Sequence, residues 1–400
     1  MTLTLLMDLD DTLLENPISS FLSAYLTALS DQLSSYADPQ QVISSLLAGT
    51  RQMIDNQRPD YTLKDVFDAT FYPSLGLVEN DLLDALDHFY KQVYPGLKKY
   101  TNKKPDAIQF VEESIKNGHQ VAIATNPLFP YTAIIQRLEW AGLPPENYPF
   151  AIIPSYETFH FTKPNPAYLA EVLALLGWPE NAAVMIGDSH ENDVACANSL
   201  GIPSYLISEN QHPIKNETSN QAESGDFSRL QEWLLQNDGH FEMDFHKPTA
   251  LLAILRATPA ALNSLCNQLH IDAWTARPKP EEWCQTEVLC HLRDVEVEVN
   301  LPRLTELIQN TDPFLPGIDS DSWAEERGYV NQDGPLALQG FITSRIQTLQ
   351  LLDGLSPEDW ERPARHAIFG PTSLSELVSI MAGHDQLHIR QLYQLVNNQP

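Results

Sequence analysis

The chain has 400 residues, and its 53 acidic side chains outnumber its 24 basic ones, which gives a net charge of −29. Such a charge repels nucleic-acid phosphates and anionic lipid surfaces, so we expect neither a nucleic acid nor a membrane as a partner. Because a single core seldom grows beyond about 250–300 residues, the length predicts at least two domains.

The cysteines and the apolar runs indicate the cellular compartment in which we expect the protein. The four cysteines form no C-x-x-C pair, so we expect free thiols and a reducing, cytoplasmic location. The N-terminal stretch has no basic segment and soon reaches an acidic residue, which does not fit a signal peptide. No apolar run approaches the length of about 18 residues that a spanning helix needs, so no membrane span is predicted.

Short apolar runs divide the first half of the chain. Residues 3–7, 121–124 and 182–186 are such runs, and longer helical patterns flank them. This alternation is typical of buried parallel strands in an α/β sheet. A last strand-like stretch at 203–207 precedes a polar segment at 208–225, which we expect to be a loop.

The first two strands are separated by too many residues for one crossover helix. About a hundred residues of helical character lie between them, so we predict an inserted helical subdomain. The composition changes again near residue 240. We therefore assign 1–240 to a Rossmann-like α/β domain, with its core at 1–14 and 100–240 and a helical cap at 15–99.

The remainder, 241–400, has a helical pattern and no convincing strand. Four amphipathic stretches in this segment predict an all-α four-helix bundle. The stretch at about 308–335 lies between the second and third helices and implies a crossover connection. Thr258 and Pro259 either begin the first helix or kink it.

Polar side chains follow the predicted strands. They are Asp8 and Asp10 after the first strand, Thr125 and Asn126 after the second, Lys163 in a later loop, and Asp188 and Asp193 after the third. Ligands of open α/β sheets bind beyond the carboxyl ends of the strands, so these side chains are expected to converge on one crevice.

Their chemistry suits phosphoryl transfer, which needs a nucleophile, a proton donor for the leaving oxygen and positive charge around the phosphoryl group. A carboxylate such as Asp8 can accept the phosphoryl group, and Asp10 can serve as acid and then base. Lys163 would supply a local cation against the acidic background, and Thr125 could donate to a phosphate oxygen. Mg²⁺ prefers hard oxygen ligands of the kind present here. Taken singly, each acidic residue could equally be a turn former or a helix cap.

Together these segments resemble the haloacid dehalogenase superfamily. The resemblance rests on D-x-D-x-T at 8–12, Thr125 at a strand end, Lys163, and G-D-x-x-x-x-D at 187–193, in the family's order. It covers roughly 1–235. The helical insertion is similar to the family's C1 cap, which closes over small substrates.

The resemblance implies a role for each residue of this set. Asp8 is the nucleophile and a metal ligand, and Asp10 is the acid/base that also binds Mg²⁺ through its backbone carbonyl. Thr125 and Lys163 contact phosphate, Asp188 is a metal ligand, Asp193 supports the metal shell, and Asn126 is assigned to substrate binding. The implied substrate is a small phosphorylated metabolite. Dehalogenases of the superfamily resemble the chain less, because Asp10 suits ester chemistry in which a leaving oxygen is protonated.

Histidines interrupt the apolar face of two bundle helices. His384 and His388 lie four residues apart in the fourth helix, and His291 lies near the buried side of the second. Three unpartnered imidazoles in a core would be unfavourable, and three imidazoles with an open position suit Zn²⁺ or Ni²⁺. A single core histidine is nevertheless more often hydrogen-bonded than bound to a metal.

This half also resembles the DinB-like (YfiT-like) helical bundles, over about 248–398. The similar segments are 281–296, 369–377 and 384–392. The resemblance implies a divalent metal on His291, His384 and His388, and includes thiol-dependent transferases, isomerases and hydrolases. Asp294 is expected either to orient His291 or to form a surface ion pair. We expect Cys290 to be a buried, inert thiol.

The sequence therefore favours a Mg²⁺-dependent phosphatase fused to a second metal-binding domain. Two alternatives remain for the bundle. It could carry the main activity as a thiol-dependent transferase or metal-dependent hydrolase, or it could serve only as a scaffold or dimerisation module that forms a homodimer.

Overall fold

The computed structural model describes residues 2–208, 223–267 and 270–397. The chain separates into two compact units. The first comprises Met1–Gln57, Tyr61–Leu169 and Pro179–Met243, and the second comprises Arg58–Asp60, Ala170–Trp178 and Asp244–Pro400.

The first 243 residues contain both strands and helices. In chain order they are β1 (Thr4–Met7), β2 (Leu14–Glu15), α1 (Ile18–Gln32), α2 (Pro39–Ile54), α3 (Leu63–Leu75), α4 (Glu79–His88), β3 (Asn102–Lys103), α5 (Pro105–Lys116), β4 (Gln120–Ile123), α6 (Tyr131–Ala141), α7 (Pro166–Leu175), β5 (Ala183–Gly187), α8 (Cys196–Leu200), β6 (Ser204–Ile207), β7 (Glu223–Gly225) and α9 (Phe227–Gln236).

The central sheet is parallel, with the order β4-β1-β5-β6-β7. Strand β1, which lies between β4 and β5, is mostly apolar and buried along its whole length, as expected for a strand covered on both faces. Met7 is in register with Ile123 and with Ile186, so the residues after these three positions emerge at one edge. The predicted α/β architecture is confirmed.

The fifth strand, β7, was not predicted. The sequence analysis placed it in a loop at 208–225, and that expectation is wrong for Glu223–Gly225; residues 209–222 lie outside the described part of the chain. β7 is a short edge strand of three residues without an apolar run, so its pairing with β6 has no local signature.

The insertion after β1 is helical, as predicted. β2 and β3 pair antiparallel where the chain leaves and re-enters the α/β core. Side-chain caps set the helix boundaries in this insertion. Asp38 caps α2, Thr62 and Asp65 form a capping box on α3, and Gly76 ends α3 with a left-handed φ of 69°. The C1-type cap of α1–α4 thus follows from local sequence signals.

The C-terminal unit is built around four long helical segments. Its elements are α10 (Pro248–Cys266), α11 (Gln285–Val295), α12 (Leu301–Gln309), β8 (Phe314–Leu315), α13 (Trp323–Glu326), α14 (Gly334–Asp353), β9 (Pro363–His366), β10 (Gly370–Ser373) and α15 (Leu374–Asn397). A π-helical turn at Glu296–Asn300 joins α11 to α12. The four-helix bundle is therefore confirmed.

The expectation that this half lacks strands is wrong. β8, β9 and β10 form a small three-stranded sheet. These strands have two to four residues, contain proline and glycine, and show no long apolar alternation. Such strands depend on their partners and leave a weak pattern in the sequence.

Helix α10 runs through Pro259 without interruption. Proline has no N–H to donate to the carbonyl four residues earlier, which belongs to Leu255. Arg345 Nη1 donates to that carbonyl at 3.3 Å. Arg345 thus provides a donor for the Leu255 carbonyl, which proline would leave without a partner.

Among the described residues, α10 is the one helix long and apolar enough to cross a membrane, and 72% of its apolar window is buried inside the protein.

Candidate functional sites

Asp8 leaves β1 at the carboxyl edge of the sheet, and its side chain is buried. Its backbone N–H donates to the carbonyl of Ile186 at 2.9 Å, which ties the start of the loop to β5. The loop then turns sharply at Asp11, which has a left-handed φ of 60°. Aspartate tolerates a left-handed φ better than most residues do, so Asp11, which directly follows Asp10, suits this turn.

Lys163 joins two carboxylates beneath this loop. Its Nζ lies 2.7 Å from Asp8 Oδ1 and 2.5 Å from Asp193 Oδ1, and all three groups are buried. Burial alone would lower the pKa of Lys163, but the two carboxylates offset that effect and raise it. Burial raises the pKa of Asp8 to about 8, with Lys163 opposing and Asp193 adding to the rise. The effect of burial on Asp8 therefore outweighs that of the neighbouring lysine.

Asp188 adds a third carboxylate at the solvent edge. Carboxylate oxygens of Asp8, Asp188 and Asp193 all lie within 4.8 Å of one another. Desolvation, followed by repulsion from Asp193 and Asp11, raises the pKa of Asp188 to about 6. A cluster of oxygen donors with excess negative charge fits Mg²⁺ better than a softer metal.

Gly187 allows this cluster to pack. A Cβ at Gly187 would lie 2.1 Å from Asp193 Oδ2, which is closer than atoms can approach. Both oxygens of Asp193 are engaged, one by Lys163 and the other by the backbone N–H of Ser189 at 2.9 Å. Asp193 thus positions Lys163 and the loop that carries Asp188.

Asp10 pairs with two side chains outside the Lys163 cluster. Its Oδ1 accepts a 2.7 Å hydrogen bond from Asn16, and its Oδ2 pairs with Nη1 of Arg137. Arg137 lies on α6, is buried, and stacks its guanidinium over the Phe129 ring at 4.5 Å. Sequence reasoning missed this arginine, because α6 gives no motif that distinguishes it from a surface residue.

Thr125 and Asn126 follow β4 on the same edge of the sheet. Thr125 is buried, and its carbonyl accepts a 2.6 Å hydrogen bond from the hydroxyl of Tyr168. Asn126 Oδ1 accepts from the backbone N–H of Lys163 at 2.7 Å. The amide of Asn126, which we had assigned to substrate binding, therefore holds the Lys163 loop in this structure.

The three histidines of the bundle converge. His384 Nε2 lies 3.1 Å from His291 Nε2 and 3.2 Å from His388 Nε2. Burial, together with the neighbouring histidines, lowers the pKa of His384 to about 2. Burial and His388 lower that of His291 to about 4, although Asp294 opposes this. The imidazoles are therefore neutral at pH 7, the form in which histidine binds a metal.

Two neighbours orient His388. Gln391 Oε1 lies 3.0 Å from His388 Nδ1, so this nitrogen carries the proton and Nε2 keeps its lone pair. Trp283 lies parallel to the His388 ring, with the centroids 6.1 Å apart, and also packs on His291. An oriented tautomer with a free nitrogen is the usual state of a histidine ligand.

Asp294 does not orient His291. It accepts from Arg293 at 2.7 Å, from Arg327 at 2.7 Å and from the Tyr329 hydroxyl at 2.8 Å. Asp294 therefore forms ion pairs, as one of the two expectations had it, but the expected surface position is wrong because Asp294 is buried. The four cysteines are free and buried, and burial raises the pKa of Cys290 to about 11, which leaves its thiol protonated.

A second feature that sequence reasoning missed is a buried ion network in the bundle. Arg345 donates to both oxygens of Glu296 at 2.9 Å and to Asp385 Oδ1 at 3.0 Å. Thr348 donates to Glu296 at 2.5 Å. All of these side chains are fully buried or nearly so, and Asp385 follows His384 directly in α15.

A parallel sheet whose first strand ends in a buried aspartate beside a lysine, with a helical cap inserted after that strand, defines a haloacid dehalogenase-like architecture. Residues 5–207 match the family model of haloacid dehalogenase-like hydrolases, and residues 254–392 match that of the DinB superfamily. The first match spans just over half of the chain, which therefore belongs to the haloacid dehalogenase-like hydrolases.

Individual relatives cover parts of the chain. Phosphoglycolate phosphatase of Mesorhizobium japonicum is 33% identical over 136 residues, which are 34% of this chain and 56% of that protein. Ribulose-1,5-bisphosphate 5-phosphatase of Halopiger xanaduensis is 32% identical over 118 residues, which are 30% of this chain and 47% of that protein. The chain thus spans about half the length of these two curated relatives.

A solved structure is similar to the C-terminal half. YfiT from Bacillus subtilis, described as "a probable metal-dependent hydrolase with an unusual four-helix bundle topology", aligns over 38% of this chain and 88% of its own. The sequence identity is 17% and the TM-score is 0.33.

Proposed function

We propose that the N-terminal unit hydrolyses phosphate monoesters of small metabolites and that Asp8 is its nucleophile. The observation that carries the proposal is the buried Asp8 carboxylate at the end of β1, 2.7 Å from Lys163 and clustered with Asp188 and Asp193. The two curated relatives, both named phosphatases, support the same reaction class.

The reaction follows from these groups. A carboxylate oxygen of Asp8 attacks phosphorus, the phosphorus–ester oxygen bond breaks, and Asp10 gives its proton to the leaving oxygen. Lys163 and Thr125 hold the phosphoryl oxygens. Asp10, now ionised, takes a proton from water as that water attacks the aspartyl-phosphate. Inorganic phosphate leaves, and Asp8 is regenerated.

Asp8 and Asp188 would hold a Mg²⁺ ion, with the backbone carbonyl of Asp10 as a further oxygen ligand, and Asp193 would support them. The ion would neutralise charge on the transferred phosphoryl group. Its fit rests on the carboxylate cluster and on the raised pKa of Asp8 and Asp188. Nearby positive charge would lower both values and keep Asp8 ionised for attack.

Removal of divalent metal is expected to abolish phosphate release. The measurement is phosphate production from a panel of phosphorylated metabolites, before and after treatment with excess EDTA. We expect at least a hundredfold loss, since a metal ion supplies several kcal/mol of charge stabilisation. Added Mg²⁺ should restore the rate. An unchanged rate in excess chelator would refute the magnesium requirement.

For the bundle, we propose a divalent metal site, Zn²⁺ or Ni²⁺, on His291, His384 and His388. The proposal rests on three neutral imidazoles whose Nε2 atoms meet, and on Gln391, which fixes one tautomer. Three histidines would leave a coordination position open for a substrate or water.

Replacing both His384 and His388 with alanine is expected to remove this metal. Elemental analysis of the purified chain should find about one equivalent of transition metal in the wild type and almost none in the variant. His246, 84% exposed and outside the cluster, provides the control, and its alanine variant should keep the metal. Equal metal content in all three proteins would instead favour the scaffold or dimerisation role.

A further inference from the structure

The cap of the N-terminal unit encloses a cavity that is larger than the phosphoryl site requires. Its volume is about 200 Å³, and its wall is mainly aliphatic and aromatic, with Leu22, Leu46 and Phe71 from the cap helices. Asp10 and Arg137 also line it. The cavity therefore begins at the proposed proton donor and extends into apolar surroundings.

Arg137 lies in the wall of this cavity, and two of its nitrogens have no hydrogen-bond acceptor among the described residues. Its side chain is only 2% exposed, and Nη1 pairs with Asp10. Its Nε and Nη2 are buried, and no described residue accepts from them. A guanidinium carries five N–H donors and no acceptor, and buried donors are normally all satisfied. The free donors of Arg137 thus call for an acceptor that the N-terminal unit does not itself supply.

The geometry indicates which kind of group would satisfy these donors. A buried guanidinium whose donors have no acceptor is unfavourable. Because Arg137 and Asp10 line the same cavity, the acceptor would belong to a substrate group within a few bonds of the ester oxygen. A carboxylate can accept from two guanidinium N–H groups in bidentate geometry.

We infer that Arg137 binds a substrate carboxylate and that the enzyme acts on phosphate monoesters of 2-hydroxy acids with an apolar side chain. This inference rests on the proposed phosphatase function. Several polar side chains line the mainly apolar wall, but the hydroxyls of Tyr25 and Tyr90 bond each other and Thr50 donates to the Leu46 carbonyl. The many hydroxyl groups of a sugar would therefore lose more hydrogen bonds to water on entry than an apolar side chain would. An aliphatic or aromatic side chain would instead fill the cavity and displace its water.

Three esters test the inference. The phosphate ester of 3-phenyllactate has both the carboxylate and an apolar side chain. Phosphoglycolate has the carboxylate alone, and 1-phenylpropan-2-yl phosphate replaces the carboxylate with a methyl group. With Mg²⁺ present, we expect kcat/KM for the first ester to exceed that for each of the others by about tenfold or more, because each lacks one of the two contacts.

The variant Arg137→Met should selectively remove the preference for an ester that carries a carboxylate. We expect kcat/KM for the phenyllactate ester to fall about a hundredfold, as a buried charge-assisted pair is lost, while the value for the neutral ester changes much less. Arg137→Lys should recover part of the preference. Arg51→Met, at a 70% exposed position of α2, is the matched control and should behave as the wild type.

A second variant tests the cavity without touching the arginine. Leu22→Phe adds bulk to the cavity wall, so KM should rise by a larger factor for the phenyllactate ester than for phosphoglycolate, which has no side chain to fill the cavity. This variant also serves if Arg137→Met does not fold.

Three outcomes would count against the inference. Equal kcat/KM of the wild type on the acid and neutral esters would overturn it. An equal loss on all three esters in Arg137→Met would also overturn it, because the arginine would then act only by positioning Asp10. Absence of phosphate release both from these three esters and from every member of the metabolite panel would refute the proposed phosphatase function itself, and the inference with it.

Discussion

Replacing Asp8 with asparagine is expected to reduce phosphate release by a factor on the order of 10⁴ or more, with the fold preserved. Loss of a residue that forms the covalent intermediate has effects of this size in other enzymes. Asparagine keeps the shape of the side chain and can still accept a hydrogen bond from Lys163. A loss of phosphate release in this variant would therefore be due to the missing nucleophile and not to a change in the shape of the site.

The pKa of Asp8 predicts the direction in which Asp8→Asn changes the stability of the protein. Burial raises the pKa of Asp8 from its ordinary value of 3.8 to about 8. Between these values the folded chain binds more protons at Asp8 than the unfolded chain, so stability falls as the pH rises from about 4 to 8. Neutral asparagine avoids this loss. Without added metal at pH 7, we expect the melting temperature of the variant to equal or exceed that of the wild type.

The control is the same substitution at an exposed site. Asp106 lies in the first turn of α5, and Asp106→Asn should leave phosphate release unchanged. Rates should be measured on the best ester of the panel with saturating Mg²⁺, together with the circular dichroism spectrum of each variant. Wild-type activity in Asp8→Asn would exclude the aspartyl-phosphate route.

Replacing Arg345 with methionine is expected to lower the free energy of unfolding of the C-terminal unit by about 3–5 kcal/mol. Arg345 balances the charges of Glu296 and Asp385 in the core, and all three side chains are at most 1% exposed. Burial raises the pKa of Asp385, whereas Arg345 outweighs burial at Glu296 and lowers its pKa. The variant would leave two carboxylates buried without a cation and the Leu255 carbonyl without its donor.

For a unit of this size, such a loss corresponds to a fall in melting temperature on the order of 10 °C. Scanning calorimetry is the suitable measurement, since two units can unfold in separate transitions. Arg365→Met is the control, because Arg365 and Asp312 form an exposed pair and its loss should change little.

A compensating variant sharpens the test of this network. Adding Glu296→Gln and Asp385→Asn to Arg345→Met removes the unbalanced charges, so part of the lost stability should return. If the single variant melts at the wild-type temperature, the network does not stabilise the bundle. Because Asp385 follows His384 in α15, we also expect the single variant to bind less metal at the histidine site.

The order of strands and helices could be predicted because it depends on local patterns. Short apolar runs marked β1, β4, β5 and β6, and helical spacing marked the cap and the bundle. Elements without such a pattern were missed. β7 and the small sheet of β8–β10 consist of two to four residues each and form only because a partner strand lies beside them.

The sequence by itself determined which chemical groups the protein has and at which strand or helix ends they occur. Asp8, Lys163, Asp188 and the histidine pair of α15 follow from motif and spacing, because the covalent chain fixes those intervals. The homodimer suggested for the bundle stays a prediction.

Only the tertiary structure decided which side chains pair with one another. Arg137 meets Asp10 across 127 positions, Asn126 holds the Lys163 backbone across 37, and Arg345 meets Glu296 across 49. Local periodicity cannot distinguish a buried arginine from a solvated one, because both lie on the same helical pattern. Burial and charge compensation arise when distant segments pack, and for this reason the cavity at Arg137 could not be predicted from the motifs of the phosphatase site.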